Sequence, residues 1–158
     1  MVSERDSLNL EFVTGAVKSQ KELSSLALRS KGLWGYDPSF LELCQKELQV
    51  PLHSLEAGLV QIGYRSSKMI GFYSFTLEET EPGLNFLFIE PEEASKGYGR
   101  ILFEKCVSDA RSRDWLSFLI CSDPHAQPFY EHMGALFIGN LESPVQQGRL
   151  LPVLRYIL

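Results

Sequence analysis

LNFLFIEPEEASKGYGRIL, residues 84–102, joins three signals in one stretch: an apolar strand-like run that stops at Glu90-Pro91, a short polar loop, and a glycine pair opening a segment of helical spacing. Gly97 and Gly99 let a backbone approach a ligand closely. The free N–H groups of a first helical turn, at the positive end of the helix dipole, suit an anion such as pyrophosphate. Residue order separates this turn from two common phosphate loops. A G-x-G-x-x-G fingerprint sits tight against its strand, whereas here the third glycine position is Leu102 and several residues separate the strand from Gly97. A P-loop needs lysine and then Ser or Thr after its last glycine, but Gly99 is followed by Arg100-Ile101. A glycine pair alone also fits a plain strand-to-helix turn that binds nothing.

A second pattern lies downstream. Trp115 to Cys121 reads as a buried strand, Asp123-Pro124 breaks it, and QPFYEHMG, residues 127–134, puts a Phe-Tyr pair on a short helix before Gly134 and the apolar strand Ala135 to Gly139. In this order and spacing the two stretches resemble motifs A and B of the GNAT superfamily of acetyl-CoA-dependent N-acyltransferases. Ile89-Glu90-Pro91 stands at the family's V-x-P step and Ala94 to Gly99 at its Q/R-x-x-G-x-G/A loop. Ala94 replaces the family's Gln or Arg, which removes one side-chain contact and no backbone contact. The resemblance covers the last half of the chain well, through Arg149 to Leu158, and the first half loosely.

The resemblance implies one N-acetyltransferase domain over residues 1–158 with an α/β (α+β) fold. Its mixed central sheet would have about seven strands with helices on both faces, and the strands of motifs A and B would splay to admit the pantetheine arm. The implied reaction is transfer of an acetyl group from acetyl-CoA to a primary amine by direct attack on the thioester. The implied binding residues are Phe88 and Ile89, through main-chain pairing with the arm, then Ser95, Lys96, Gly97, Tyr98, Gly99, Arg100 and Ile101 around the pyrophosphate, and Phe129. Tyr130 matches the family tyrosine that protonates the departing thiolate. An ordinary phenol pKa of about 10 keeps it protonated, and a thiolate of pKa about 8.5 is a workable acceptor at contact distance. Tyr130 also fits a half-buried aromatic hydrogen-bonded elsewhere.

No carboxylate stands in Leu84-Asn85-Phe86-Leu87, where family members often place an acid. Glu90 is the adjacent base candidate, with Glu78, Glu79 and Glu81 near the preceding strand end; each equally fits a solvated surface carboxylate, and a water chain serves as well. His125 and His132 flank motif B and read as loop and helix-surface residues, with no metal-ligand spacing. In this fold the loop between the first two helices covers the acceptor, which gives Trp34 and Tyr36 an acceptor-binding role; anchoring of the loop onto the core is the alternative. The segment Asn140 to Gly148 is a second loop for the same cleft.

Composition agrees with one compact domain. The 158 residues are 44% hydrophobic, with no Ser/Gly/Pro-rich linker, and a net charge of −5 without a basic tract argues against nucleic acid. No signal-peptide pattern or membrane-length apolar run is present, which predicts a cytoplasmic protein. Cys44, Cys106 and Cys121 form no C-x-x-C and predict reduced, mostly buried thiols. The expected partner is a small-molecule or peptide amine, with acetyl-CoA as cosubstrate, no metal, no membrane, and a homodimer left open. Two other classes remain: a catalytically silent acyl-CoA-binding module, and a small α/β interaction domain that binds no nucleotide.

Periodicity fills in the rest. It predicts a strand over 8–13, a helix over 16–30 with Leu23, Leu26 and Ala27 on one face, and a helix opened by Asp37-Pro38 that buries Phe40, Leu41, Cys44 and Leu48. A hairpin over 56–65 and 69–77 follows through Ser66-Ser67-Lys68. After the glycine pair, Leu102, Phe103, Cys106, Val107 and Ala110 share a helical face, and the motif B helix starts near Ala126 or Gln127 with Pro128 in its first turn.

Overall fold

The computed structural model describes residues 8–78 and 80–158. Its strands are β1 (Glu11–Thr14), β2 (Val60–Arg65), β3 (Lys68–Thr76), β4 (Gly83–Ile89), β5 (Ser117–Cys121), β6 (Leu136–Glu142) and β7 (Leu150–Ile157). Its helices are α1 (Gln20–Lys31), α2 (Pro38–Cys44), α3 (Leu52–Glu56), α4 (Tyr98–Ser112) and α5 (Gln127–His132). The strands form one seven-stranded sheet in the order β1-β2-β3-β4-β5-β7-β6. The pairing of β4 with β5 is parallel and every other is antiparallel. This is the mixed, single-domain architecture that the two motifs imply.

Alternation along the central strands builds a core on each face of the sheet. On β4, Phe86 and Phe88 turn towards α1, whose Leu23, Leu26 and Ala27 are buried, while Leu87 and Ile89 turn towards α4. Helix α4 buries Leu102, Phe103, Cys106, Val107 and Ala110, the predicted stripe. Each such side chain contributes about 1.5–3 kcal/mol for the larger residues, so this face fixes α4 against the sheet. Arg111 stands in the last turn, where the dipole favours a cation.

Several boundaries differ from expectation for local reasons. The first strand is Glu11–Thr14, and the first helix begins as a 3₁₀ turn, Val17–Ser19, before α1. Residues 52–56, of which only Glu56 falls in the expected strand, form α3, which follows Pro51 and ends before Gly58 at φ +72°, a left-handed terminator. Asp37 occupies the N-cap of α2 without a side-chain cap bond, and of its predicted stripe only Cys44 is fully buried. Trp115 lies outside β5 and packs edge-on against Phe75. The β2–β3 hairpin turns at Ser66 and Ser67, both with positive φ, as the tight two-residue turn requires. The three cysteines are free; Cys44 and Cys106 are buried, but Cys121 at the end of β5 is exposed, because the sheet opens beside it.

Candidate active site

Strands β4 and β5 pair only at Gly83 with Leu119 and Leu84 with Ile120. Beyond Leu84 they part, which leaves the β5-side edge of β4 from Asn85 to Ile89 without a strand partner. The gap widens into a cleft of about 720 Å³ lined by β4, the loop before α4, the end of β5, α5 and Trp34. At its floor, the Asn85 side-chain oxygen is buried with no hydrogen-bond partner among the described residues. Such an orphan acceptor costs about 1–3 kcal/mol unless a ligand or water donates to it.

One end of the cleft is made of backbone. Pro91–Glu93 forms a 3₁₀ turn, Ser95 and Gly97 take positive φ, and α4 starts at Tyr98 with Gly97 as its N-cap and no side-chain cap bond. The N–H groups of the first turn are therefore left for something else. Gly97, at φ +95°, aims them; Gly99 has the Phe129 ring 3.4 Å from where a Cβ would stand, so a larger residue would intrude between loop and α5. Ser95, Gly97, Tyr98, Gly99 and Arg100 line the cleft, as do Phe88, Ile89, Phe129 and Tyr130. Lys96 and Ile101 do not: the Lys96 ammonium turns to Glu93, and Ile101 lies in the helix behind the lining. The Tyr98 ring is buried, and its hydroxyl accepts from Arg65.

The other end is made of side chains from three distant segments. Asp123, just after β5, accepts from Lys31 Nζ at 2.9 Å, from the Tyr36 hydroxyl at 2.9 Å and from Arg149 at 3.3 Å. It also accepts from the backbone N–H and the ring Nδ1 of His125, each at 2.9 Å. Trp34 stacks on His125 with ring centroids 5.0 Å apart and planes 11° from parallel, and both line the cleft. Tyr36 does not line it; its ring lies under Lys31 and Arg149 and its hydroxyl locks the loop to Asp123.

Glu90 falls outside the cleft: Arg29 grips its carboxylate with two bonds of 2.9 Å. Glu81 is likewise taken by Arg155 and Ser117, and Glu78 accepts from Thr76. Glu79 lies outside the described residues. His132 reaches the cleft lining from α5. The segment from Asn140 contributes its first residues to β6, and the loop beyond it supplies Arg149 to the Asp123 cluster.

The sequence matches the model of the acetyltransferase (GNAT) domain over residues 40–146, more than half of the 158-residue chain. The chain belongs to the GNAT acetyltransferase family. Its fold superposes on PaiA N-acetyltransferase from Thermoplasma acidophilum in complex with coenzyme A with a TM-score of 0.76, at 16% identity over 95% of this chain and 99% of that one. A GCN5-related N-acetyltransferase from Rhodopseudomonas palustris gives 0.77, at 14% identity over 95% and 96%. An aminoglycoside 6′-N-acetyltransferase complexed with coenzyme A gives 0.64, at 15% identity over 87% and 89%. At these identities the likeness is one of fold. No curated protein sequence matches.

Electrostatics distinguish the polar groups of this acetyltransferase. Burial would raise the Asp123 pKa, but hydrogen bonds from Lys31, the His125 N–H and Tyr36 overcome it and hold the carboxyl down to about 2. Tyr36 is pushed up to about 12 by burial and by Asp123. Burial also pushes the Tyr130 phenol well above its ordinary value, with Cys106 and Asp123 adding to it. The Tyr130 hydroxyl has no hydrogen-bond partner among the described residues, so no internal acceptor competes for its proton. Among the described residues no cluster of His, Cys, Asp and Glu could hold a metal ion, and no helix is long and apolar enough to cross a membrane. Lys31, Asp123 and Arg149 escape sequence reading because each is ordinary in its own segment. The available signal was Asp123-Pro124-His125, an N-cap that binds the His125 N–H.

Proposed function

We propose that this acetyltransferase binds acetyl-CoA in the cleft and moves its acetyl group to a primary amine. The observation that carries the reading is the coincidence, in one cleft, of the parted β4 edge, the uncapped glycine start of α4 and the unpartnered Tyr130 hydroxyl. Main-chain groups of Phe88 and Ile89 pair with the pantetheine amides, and Asn85 Oδ1 accepts from an N–H of the arm or of the amine. N–H groups from Ser95 to Ile101 take the pyrophosphate, with Lys96 and Ile101 contributing backbone only. Phe129 packs beside Gly99 and lines the path of the arm. Trp34 covers the amine, while Tyr36 holds the covering loop in place.

The amine nitrogen attacks the thioester carbonyl, and the tetrahedral intermediate collapses with loss of thiolate. Tyr130, kept protonated by burial, gives that thiolate its proton. Acetyl-CoA consumption measured with spermidine, kanamycin, lysine and an alanine-initiated peptide tests the reading. Turnover with at least one is expected. Acetyl-CoA binding without turnover on any of them points instead to a silent acyl-CoA-binding module, and absence of binding defeats both.

A further inference from the structure

We propose that His125 is the general base of the acetyl transfer, with Asp123 as the residue that fixes its tautomer; this rests on the acetyl-transfer reading. Asp123 is a carboxylate and only accepts, and the Tyr36 hydroxyl, 3.0 Å from His125 Nδ1, gives its one proton to Asp123, so the 2.9 Å contact between Nδ1 and Asp123 places the ring proton on Nδ1. Nε2 then carries the lone pair, and it has no partner among the described residues. His125 lines the cleft and its side chain is 45% exposed, so a substrate ammonium can reach it. Trp34, stacked on the ring at 5.0 Å, holds its plane and occupies the same cleft wall. The carboxylate itself is not available as base, since Lys31, Tyr36 and Arg149 already donate to it.

Other titratable groups of the lining fit the task less well. Glu93 is held by Lys68 and Lys96, partial desolvation by the cleft walls pushes the exposed Cys121 thiol up, and His132 has no partner to set its tautomer among the described residues. The groups that face His125 are Asp123 beside it, Lys31 from α1, Tyr36 from the following loop and Arg149 from the β6–β7 loop. The step balances as follows. The bound ammonium gives one proton to Nε2, and the neutral nitrogen forms the C–N bond. The C–S bond then breaks as Tyr130 protonates the sulfur. The second nitrogen proton returns to the Tyr130 phenolate through water in the cleft. The products are the amide, free CoA thiol and one proton, released from His125 to solvent.

Two measurements test this. Long-range ¹⁵N–¹H spectra of the ring-labelled free protein read the tautomer without any reaction; His125, assigned by its absence from the His125→Asn spectrum, is expected with its proton on Nδ1. A neutral ring protonated on Nε2 overturns the proposal. For kinetics, the wild type and His125→Asn, which keeps a donor for Asp123, are compared from pH 5 to 9 with whichever of spermidine, kanamycin, lysine or the alanine-initiated peptide turns over. The variant should lose about 10²-fold in kcat and lose the ionisation that limits the wild type at acid pH, and added imidazole should restore part of the rate to His125→Ala. An unchanged kcat, or a reduced kcat that keeps the acid limb and resists imidazole, overturns it. A wild type that turns over none of these amines defeats the acetyl-transfer reading and this base with it, whatever the tautomer.

Discussion

The two ends of the cleft are built in opposite ways. At the α4 end, recognition is main chain: two glycines, a left-handed N-cap and uncapped N–H groups from one continuous loop. At the Trp34 end it is side chain: Lys31, Tyr36, Asp123, His125 and Arg149 converge there, and Tyr36 and Arg149, which bond directly, are 113 residues apart. The first kind leaves a local signature, because the φ of +95° at Gly97 favours glycine and the Phe129 ring leaves little room for a side chain at Gly99. The second leaves only the Asp123-Pro124-His125 cap, since its other members meet only through the fold. A change at the first end should therefore act on ligand binding alone. A change at the second should act on stability, acceptor affinity or rate, depending on which member is altered.

The largest effect is expected at the hub of the side-chain end. Asp123→Asn leaves Lys31 and Arg149, 11% and 16% exposed, facing a neutral amide, and should cost about 3 kcal/mol in denaturant unfolding at pH 7. Its pH dependence has a definite sign. The folded pKa of about 2 lies below the ordinary 3.8, so the stabilisation is fully present above pH 4 and fades as pH falls through 2. About 2 kcal/mol of the gap between wild type and variant should close over that window. A gap independent of pH would show that the carboxylate is not what holds the cluster.

Tyr130→Phe should lower kcat by about 10²-fold while leaving the unfolding midpoint and acetyl-CoA affinity nearly unchanged, because the ring stays packed against Phe103 and Phe129. An unaltered kcat in single-turnover measurements from neutral pH to above the thiol pKa makes it a packing residue. Trp34→Ala should raise the acceptor KM by about tenfold and spare the acetyl-CoA affinity, which separates the two ends directly. Loss of cofactor affinity instead would merge them. The smallest change belongs to Glu90→Gln. Its Arg29 partner is 51% exposed, so stability should move by less than about 1 kcal/mol, and kcat should stay within twofold. A large drop in kcat would restore Glu90 as the base.

The same contrast explains what the sequence disclosed. The α4 stripe from Leu102 to Ala110 and the Pro128 start of α5 follow from periodicity and proline chemistry, which are local, whereas the mixed seven-stranded sheet is implied by the resemblance of the two motifs. Helix α3, for which no period is read in the sequence, shows the limit: a five-residue helix has too few turns for a period to declare itself. Glu90 drew attention by sitting beside the V-x-P step, yet Arg29, 61 residues away, takes its carboxylate out of the cleft. His125 passed for a loop residue because Trp34 and Tyr36 reach it and its neighbour Asp123 only when β5 ends beside the α1–α2 loop.

The most direct test of the cleft as an acetyl-CoA site is thermal unfolding of the wild type and Gly97→Val with and without acetyl-CoA. Valine at φ +95° distorts the N-cap that aims the first-turn N–H groups. Ligand at about a hundred times its dissociation constant should stabilise the wild type by about 2.7 kcal/mol, a rise of roughly 5–10 °C, and leave the variant at its own baseline. No rise in the wild type at millimolar acetyl-CoA, or an equal rise in Gly97→Val, would contradict the account.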